Sequence, residues 1–183
     1  GPNVMLGYHG DQEGGGAYLA PDGWLHTGDL GFLTRDGYLT ITDRKKNLFK
    51  DRAGRYISPV KIEALLKQSP DVEYAIVIGE GRAYPSVLLF LDPKIVGPLP
   101  DKDVNRSIGR LLARVNRKLP KHERVRAHQV IRAPLTQESG LLTSTFKPKR
   151  AQICLAFNRE IDEMYLAGRY FSRGNRGESV ARR

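Results

Sequence analysis

The chain has 183 residues, 40% of them hydrophobic and 27% charged, which is enough to bury the core of one domain or of one and a part. Its single cysteine, Cys154, excludes an internal disulfide, has no Cys or His cluster beside it that would make a metal site, and reads as a small buried helix residue. Thirty Lys and Arg against 20 Asp and Glu give a net charge of +10, an excess that points to an anionic partner.

No apolar run reaches the roughly 18 residues of a membrane span, and the first residues lack the basic-then-apolar order of a signal peptide, so a cytoplasmic location is expected. The stretch Arg173–Arg183 holds four of the arginines against one glutamate. Rich in Gly, Ser and Arg, it reads as a solvated, disordered tail. With no helix-turn-helix, zinc-ligand or aromatic RNA-platform pattern beside the charge, nucleic acid is set aside as a partner.

Taken in chain order, residues 1 to about 42 alternate turn signals (Asp22-Gly23, Asp36-Gly37) with short apolar runs, and Tyr38-Leu39-Thr40-Ile41 has the period of a strand. Gly14-Gly15-Gly16 lacks a following Lys-Ser/Thr and is a flexible loop, not a phosphate-binding P-loop. Ser58-Pro59 ahead of Val60–Leu66 supplies an N-cap and a proline at the first helical position, so a short amphipathic helix follows. Glu73–Gly79 and Ser86–Leu91 read as a hairpin across the turn-rich Glu80–Pro85. Asp101 or Asp103 can cap a second helix, with Ile108, Leu111, Leu112, Val115 and Leu119 at helical spacing until Pro120. Val125–Ile131 resembles a further strand, and after a loop from Thr136 to Pro148 helical spacing returns over Ala151 to about Leu166. Strands and helices interleaved in this way make an α+β module with a small mixed sheet.

Two phrases carry a resemblance. Gly23-Trp24-Leu25-His26-Thr27-Gly28-Asp29-Leu30-Gly31 and Tyr38-Leu39-Thr40-Ile41-Thr42-Asp43-Arg44-Lys45-Lys46 resemble the TGD and DRxK segments of AMP-forming acyl-CoA synthetases, most of all long-chain fatty acid–CoA ligases. The likeness continues through Gly54-Arg55-Tyr56-Ile57-Ser58-Pro59 to Lys147 and ends near residue 167. It implies that residues 1–42 are the end of a β-rich, barrel-like subdomain of the large adenylating domain. Residues 43–167 would be the compact mobile lid with its flanking helices, and 168–183 a basic disordered tail. Gly1–Tyr8 looks like a segment these enzymes carry late in the large domain, so the chain reads as a C-terminal fragment whose missing N-terminal domain is a partner. Alone it should not turn over.

The activity so implied is ATP-dependent adenylation of a long-chain fatty acid, followed by transfer of the acyl group to coenzyme A. Mg²⁺ would enter through ATP, on ligands outside this chain. By the same resemblance Lys147 is the adenylation lysine, with Lys149 in reserve. Asp29 would take both ribose hydroxyls on its two carboxylate oxygens, Arg44 would contact ribose or phosphate, and Asp43 and Lys46 would form the hinge. Gly54, Arg55 and Tyr56 would approach the pantetheine channel, and His26 is structural. The pattern departs from the family at Ser144, where proline is common, at Pro148 directly after the lysine, and at Ala53, where a second glycine is frequent. Taken alone, Thr27-Gly28-Asp29 is a turn and Asp43–Lys46 a solvated charged turn. Three other readings stay open: a non-catalytic lid-like module that docks on a separate partner or an anionic surface such as a membrane through its basic tail; loading of a carrier-protein pantetheine; and a luciferase-like oxidative branch.

Overall fold

The computed structural model describes residues 1–7, 9 and 19–173, with side chains as far as Leu166; the glycine triplet and residues 174–183 lie outside the described residues. Contacts divide the chain into two units, Gly1–Leu48 and the part from Phe49 onward.

In the first unit β1 (Asp29–Leu33) pairs antiparallel with β2 (Leu39–Arg44), and the turn between them closes through Thr34 N–H to the Tyr38 carbonyl, 2.8 Å, with Gly37 at a φ of 83°. That positive φ is what the Asp36-Gly37 signal provides for. A bulge lies between Leu30 and Gly31, and a Cβ on Gly31 would come 2.6 Å from the Thr40 carbonyl oxygen, so only glycine fits there. Where a barrel-like end was expected, the described residues form an open two-stranded ribbon plus one isolated bridge, Leu19 to Leu25. Two strands cannot close on themselves.

The second unit begins with a hairpin of β3 (Phe49–Lys50) and β4 (Tyr56–Ile57). It runs into α1 (Pro59–Leu66), whose N-cap Ser58 accepts from the Lys61 N–H. Next come β5 (Val72–Ile78) and β6 (Ser86–Leu91), paired antiparallel. A one-turn helix unforeseen in the sequence, α2 (Pro93–Val96), starts at Asp92, whose side chain accepts from the Lys94 N–H. It leads to α3 (Asp101–Arg117), which starts from Pro100 with Asp101 as its first helical residue, so neither Asp101 nor Asp103 is the cap. Both carboxylates sit in the first turn, where the helix dipole favours them.

β7 (Ala127–Ile131) returns parallel to β6, giving the mixed sheet β5-β6-β7. The final helical stretch is broken at Phe157 into α4 (Arg150–Ala156) and α5 (Asn158–Arg173). Helix α5 runs past residue 168, where the tail was expected to start. Cys154 on α4 is half-buried, and burial raises its thiol pKa.

Alternation along the central strands sends side chains to two layers. Val77, Val87 and Leu89 face α1 and α3, joining Ile62, Leu66, Ile108 and Leu111. Ile76, Leu88 and Phe90 face the other way, toward Ile153, Ile161 and Met164 of α4 and α5. β6 is buried along its whole length, as a middle strand covered on both faces must be.

Candidate active site

In the first unit the β1–β2 register sets Asp29 directly opposite Arg44, and Arg44 Nε donates to Asp29 Oδ1 at 2.9 Å. Gly28 turns into the strand with a φ of 74°, its carbonyl accepting from Lys45 N–H at 2.7 Å, and Thr27 Oγ1 accepts the Asp29 N–H at 3.1 Å. The phrase Thr27-Gly28-Asp29 is therefore a turn whose backbone aims one carboxylate. Asp29 Oδ2 takes no hydrogen bond among the described residues and remains an open acceptor. The sequence reading gave both oxygens to a sugar; one of them already holds the guanidinium.

Around this pair a cleft of about 450 Å³ is lined by Met5, Leu25, His26, Thr27, Gly28, Asp29, Arg44 and Lys46. His26 is thus at the cleft, whereas Trp24 is exposed. Asp43 is buried, and its Oδ1 accepts the Arg44 N–H at 2.7 Å, which fixes the strand end that carries the arginine. Lys46 sits in a short 3-10 turn, Lys45–Asn47, immediately before the division between the units.

In the second unit the β3–β4 turn is a closed clamp around Asp51. This carboxylate is buried; Oδ1 accepts the N–H groups of Ala53 and Arg55, each at 2.9 Å, while Oδ2 accepts Nε at 2.9 Å and Nη2 at 2.6 Å from the Arg55 guanidinium. The guanidinium, aided by the backbone amides, holds the Asp51 carboxyl below its ordinary pKa. Gly54, with a φ of 78°, makes the turn, and the Lys50 ammonium lies 4.9 Å from the centre of the Tyr56 ring. The turn is also tied sideways to the β5–β6 connection, by Arg52 N–H to the Arg82 carbonyl at 2.8 Å and Gly81 N–H to the Lys50 carbonyl at 2.9 Å. Gly54, Arg55 and Tyr56 are therefore brought together on one rigid loop. Asp51 escaped the sequence reading, although an Asp three residues before a turn glycine is a recognisable turn starter.

Lys147 belongs to a second small hairpin. Leu142 bridges Pro148, Thr143 N–H donates to the Lys147 carbonyl at 2.9 Å, and Lys149 N–H donates to the Leu141 carbonyl at 2.9 Å. Phe146, the residue before the lysine, has a φ of 58°, a left-handed conformation that costs a non-glycine residue roughly 1–2 kcal/mol. Gln137 Nε2 braces the turn through the Ser144 carbonyl at 3.0 Å, and the Lys147 N–H donates to Thr143 Oγ1 at 3.1 Å. The ammonium itself is exposed and makes no ion pair among the described residues. Behind it, Arg150 anchors the hairpin: Nη1 donates to the Val77 carbonyl and Nη2 to Glu63 Oε1, each at 2.6 Å, and the same Oε1 accepts the Val77 N–H at 2.7 Å. This brace spans 87 positions of sequence and had no local signal. The Lys147 hairpin and the Asp51 clamp share no hydrogen bond or ion pair among the described residues.

A small mixed sheet packed between helices matches the C-terminal region of adenylate-forming enzymes. The adenylation domain of a carboxylate reductase from Mycobacterium chelonae is similar at a TM-score of 0.71 and 27% identity, over 81% of this chain and 24% of that one. An o-succinylbenzoate CoA synthetase from Bacillus subtilis, in complex with its acyl-adenylate intermediate, is similar at 0.62 and 28% identity, over 84% of this chain and 28% of that one. Residues 52–169 match the family described as AMP-binding enzyme C-terminal domain, and the chain belongs to that family. Among curated relatives, the human long-chain-fatty-acid–CoA ligase 6 is 34% identical over 182 residues, 90% of this chain. The chain spans 26 to 32% of the length of the curated relatives it matches.

Proposed function

We propose that this chain is the lid-bearing C-terminal part of an AMP-forming fatty acid–CoA ligase, working with an N-terminal adenylating domain. The observation that carries the reading is the Asp29–Arg44 pair, fifteen positions apart in sequence yet 2.9 Å apart at the wall of a cleft. A carboxylate with one unfilled oxygen beside a fixed guanidinium suits a nucleotide: the acid accepts from a sugar hydroxyl and the arginine donates to sugar or phosphate oxygens.

Lys147 supplies the mobile positive charge. In adenylation a fatty acid carboxylate oxygen bonds to the α-phosphorus of ATP and pyrophosphate leaves; an ammonium at the tip of a braced hairpin stabilises the charge on the phosphate oxygens. In the second step the thiol of coenzyme A attacks the acyl carbonyl and AMP leaves, and the Gly54-Arg55-Tyr56 loop, held by Asp51, lines the approach of the pantetheine. Asp43 and Lys46 lie just before the division between the units and serve as the hinge by which one unit presents either loop. The residues fit ATP and coenzyme A; Mg²⁺ would be carried with the ATP, and the described residues hold no cluster of His, Cys, Asp or Glu able to bind it. No described helix is long and apolar enough to cross a membrane.

The test is Lys147→Ala in the full-length protein. Acid-dependent pyrophosphate release falls by about 10²–10³-fold, while thioester formation from supplied acyl-adenylate is largely kept. Equal loss of both steps overturns the assigned role.

A further inference from the structure

Helix α3 divides sharply around its circumference. Val104, Ile108, Leu111, Leu112 and Val115 are buried against the sheet, which fixes the rotation of the helix. At 100° per residue Lys102, Arg106, Arg110, Arg114 and Arg117 then fall within about a third of the circumference on the outer side, along about 22 Å of axis. All five are exposed. A merely solvated helix face interleaves signs, because like charges four residues apart destabilise the helix. Here the only acid in that arc is Asp103, paired with Arg106 at 3.1 Å, and Arg110, Arg114 and Arg117 make no ion pair among the described residues. Asp101 is turned to Arg132 instead.

We infer that this face of α3 is a docking surface for the anionic headgroups of a phospholipid bilayer. A row of guanidinium groups is matched to phosphate, which each can hold in bidentate fashion. The row contains no aromatic residue on which a nucleic-acid base could stack. In the segment that precedes the helix in the chain, Ile95 and Leu99 are 38% and 42% exposed, apolar side chains of the kind that enter the interface beneath headgroups. The choice of lipid over other polyanions rests on the proposed fatty acid substrate, an amphiphile that partitions into bilayers, and on the basic amphipathic character of the helix. The docking site so placed lies on a folded helix, not on the arginine-rich tail.

Cosedimentation of the 183-residue chain with phosphatidylcholine vesicles containing about 30 mol% phosphatidylserine should show at least about tenfold stronger binding than with phosphatidylcholine alone, weakened by salt. R106E/R110E/R114E abolishes the difference, and the milder R106Q/R110Q/R114Q, which leaves the buried face untouched, reduces it in a chain that circular dichroism shows to be folded. Replacing Arg176, Arg182 and Arg183 by serine leaves most of the binding in place. Equal binding to both vesicle types overturns the inference, as does binding removed by the tail variant but not by the helix variants. Tighter, variant-sensitive binding to duplex nucleic acid or to an acidic peptide than to the anionic vesicles overturns it too. Pyrophosphate release by the full-length protein on a short, water-soluble acid reports on the ligase function without any membrane, so failure of either reading is seen separately.

Discussion

The two units solve the same problem of placing a charged side chain in opposite ways. From Phe49 onward, Asp51, Arg55, Lys147 and Arg150 are mounted on hairpins and helix ends that pack against a two-layered core, and every buried apolar side chain among the described residues belongs to this part. Up to Leu48 no described apolar side chain is buried; Trp24, Phe32, Leu33, Tyr38, Leu39 and Ile41 are all exposed. An isolated two-stranded ribbon is marginal in water, so the Asp29–Arg44 pair is held by register and turn chemistry and needs a further apolar layer to be held firmly. Its exposed guanidinium adds little stability of its own. The difference teaches that a site residue can be well aimed by local structure and still depend on a core elsewhere.

Core truncation gives the largest contrast. Phe90→Ala, on the buried central strand, should destabilise the chain by about 3–5 kcal/mol in urea unfolding. Phe32→Ala on the ribbon should stay within about 0.5 kcal/mol, and similar losses at both would break the comparison.

A smaller effect comes from the polar joint within the core unit. The buried Ser86 hydroxyl donates to the Tyr165 phenol oxygen at 2.9 Å, and the phenol O–H is shared between the carbonyl oxygens of Ile78 and Tyr84, each 3.1 Å from Oη. Tyr165→Phe leaves those groups without this partner and should cost about 1–3 kcal/mol. Burial pushes the Tyr165 phenol from 10.0 up to about 12. Because the folded state favours the neutral phenol, its contribution is complete below pH 10 and is lost as pH rises toward about 12. The variant should show a flatter stability curve over that alkaline range.

The smallest expected change is at the clamp. Asp51 has its folded pKa lowered below 3.8, chiefly by the Arg55 guanidinium, so its contribution is present above that value and lost as pH falls through the folded pKa. Asp51→Asn should flatten the acid limb of the stability curve and speed hydrogen exchange at the Ala53 and Arg55 amides. An unchanged acid limb would separate the clamp from the rigidity of the core unit.

Much of the core unit was legible because its signals are local. Ser58-Pro59 marked the start of α1, the apolar runs marked β5 and β6, and the spacing from Ile108 to Val115 marked α3. The start of α3 was misplaced at the caps because two acids in a first turn look like a cap in sequence. Asp92 and its one-turn helix were too short to carry a period. At the cleft, Asp29 and Arg44 were identified from their phrases, while in the second unit Asp51, which makes the clamp, was not singled out because its partners Ala53 and Arg55 are set by the turn geometry.

What the sequence determined by itself is whatever a few neighbouring residues decide: turns at Gly37 and Gly54, the cap at Ser58, the amphipathic face of α3 and the alternation of the strands. Tertiary structure alone decided that β7 lies parallel to β6, that Glu63 joins Arg150 behind the lysine hairpin, and that Asp29 meets Arg44 across a bulged register. Those contacts form between residues far apart in the chain, where the loop-closure cost is met by burial and by the pairing of whole elements, and no local pattern records which elements will pair.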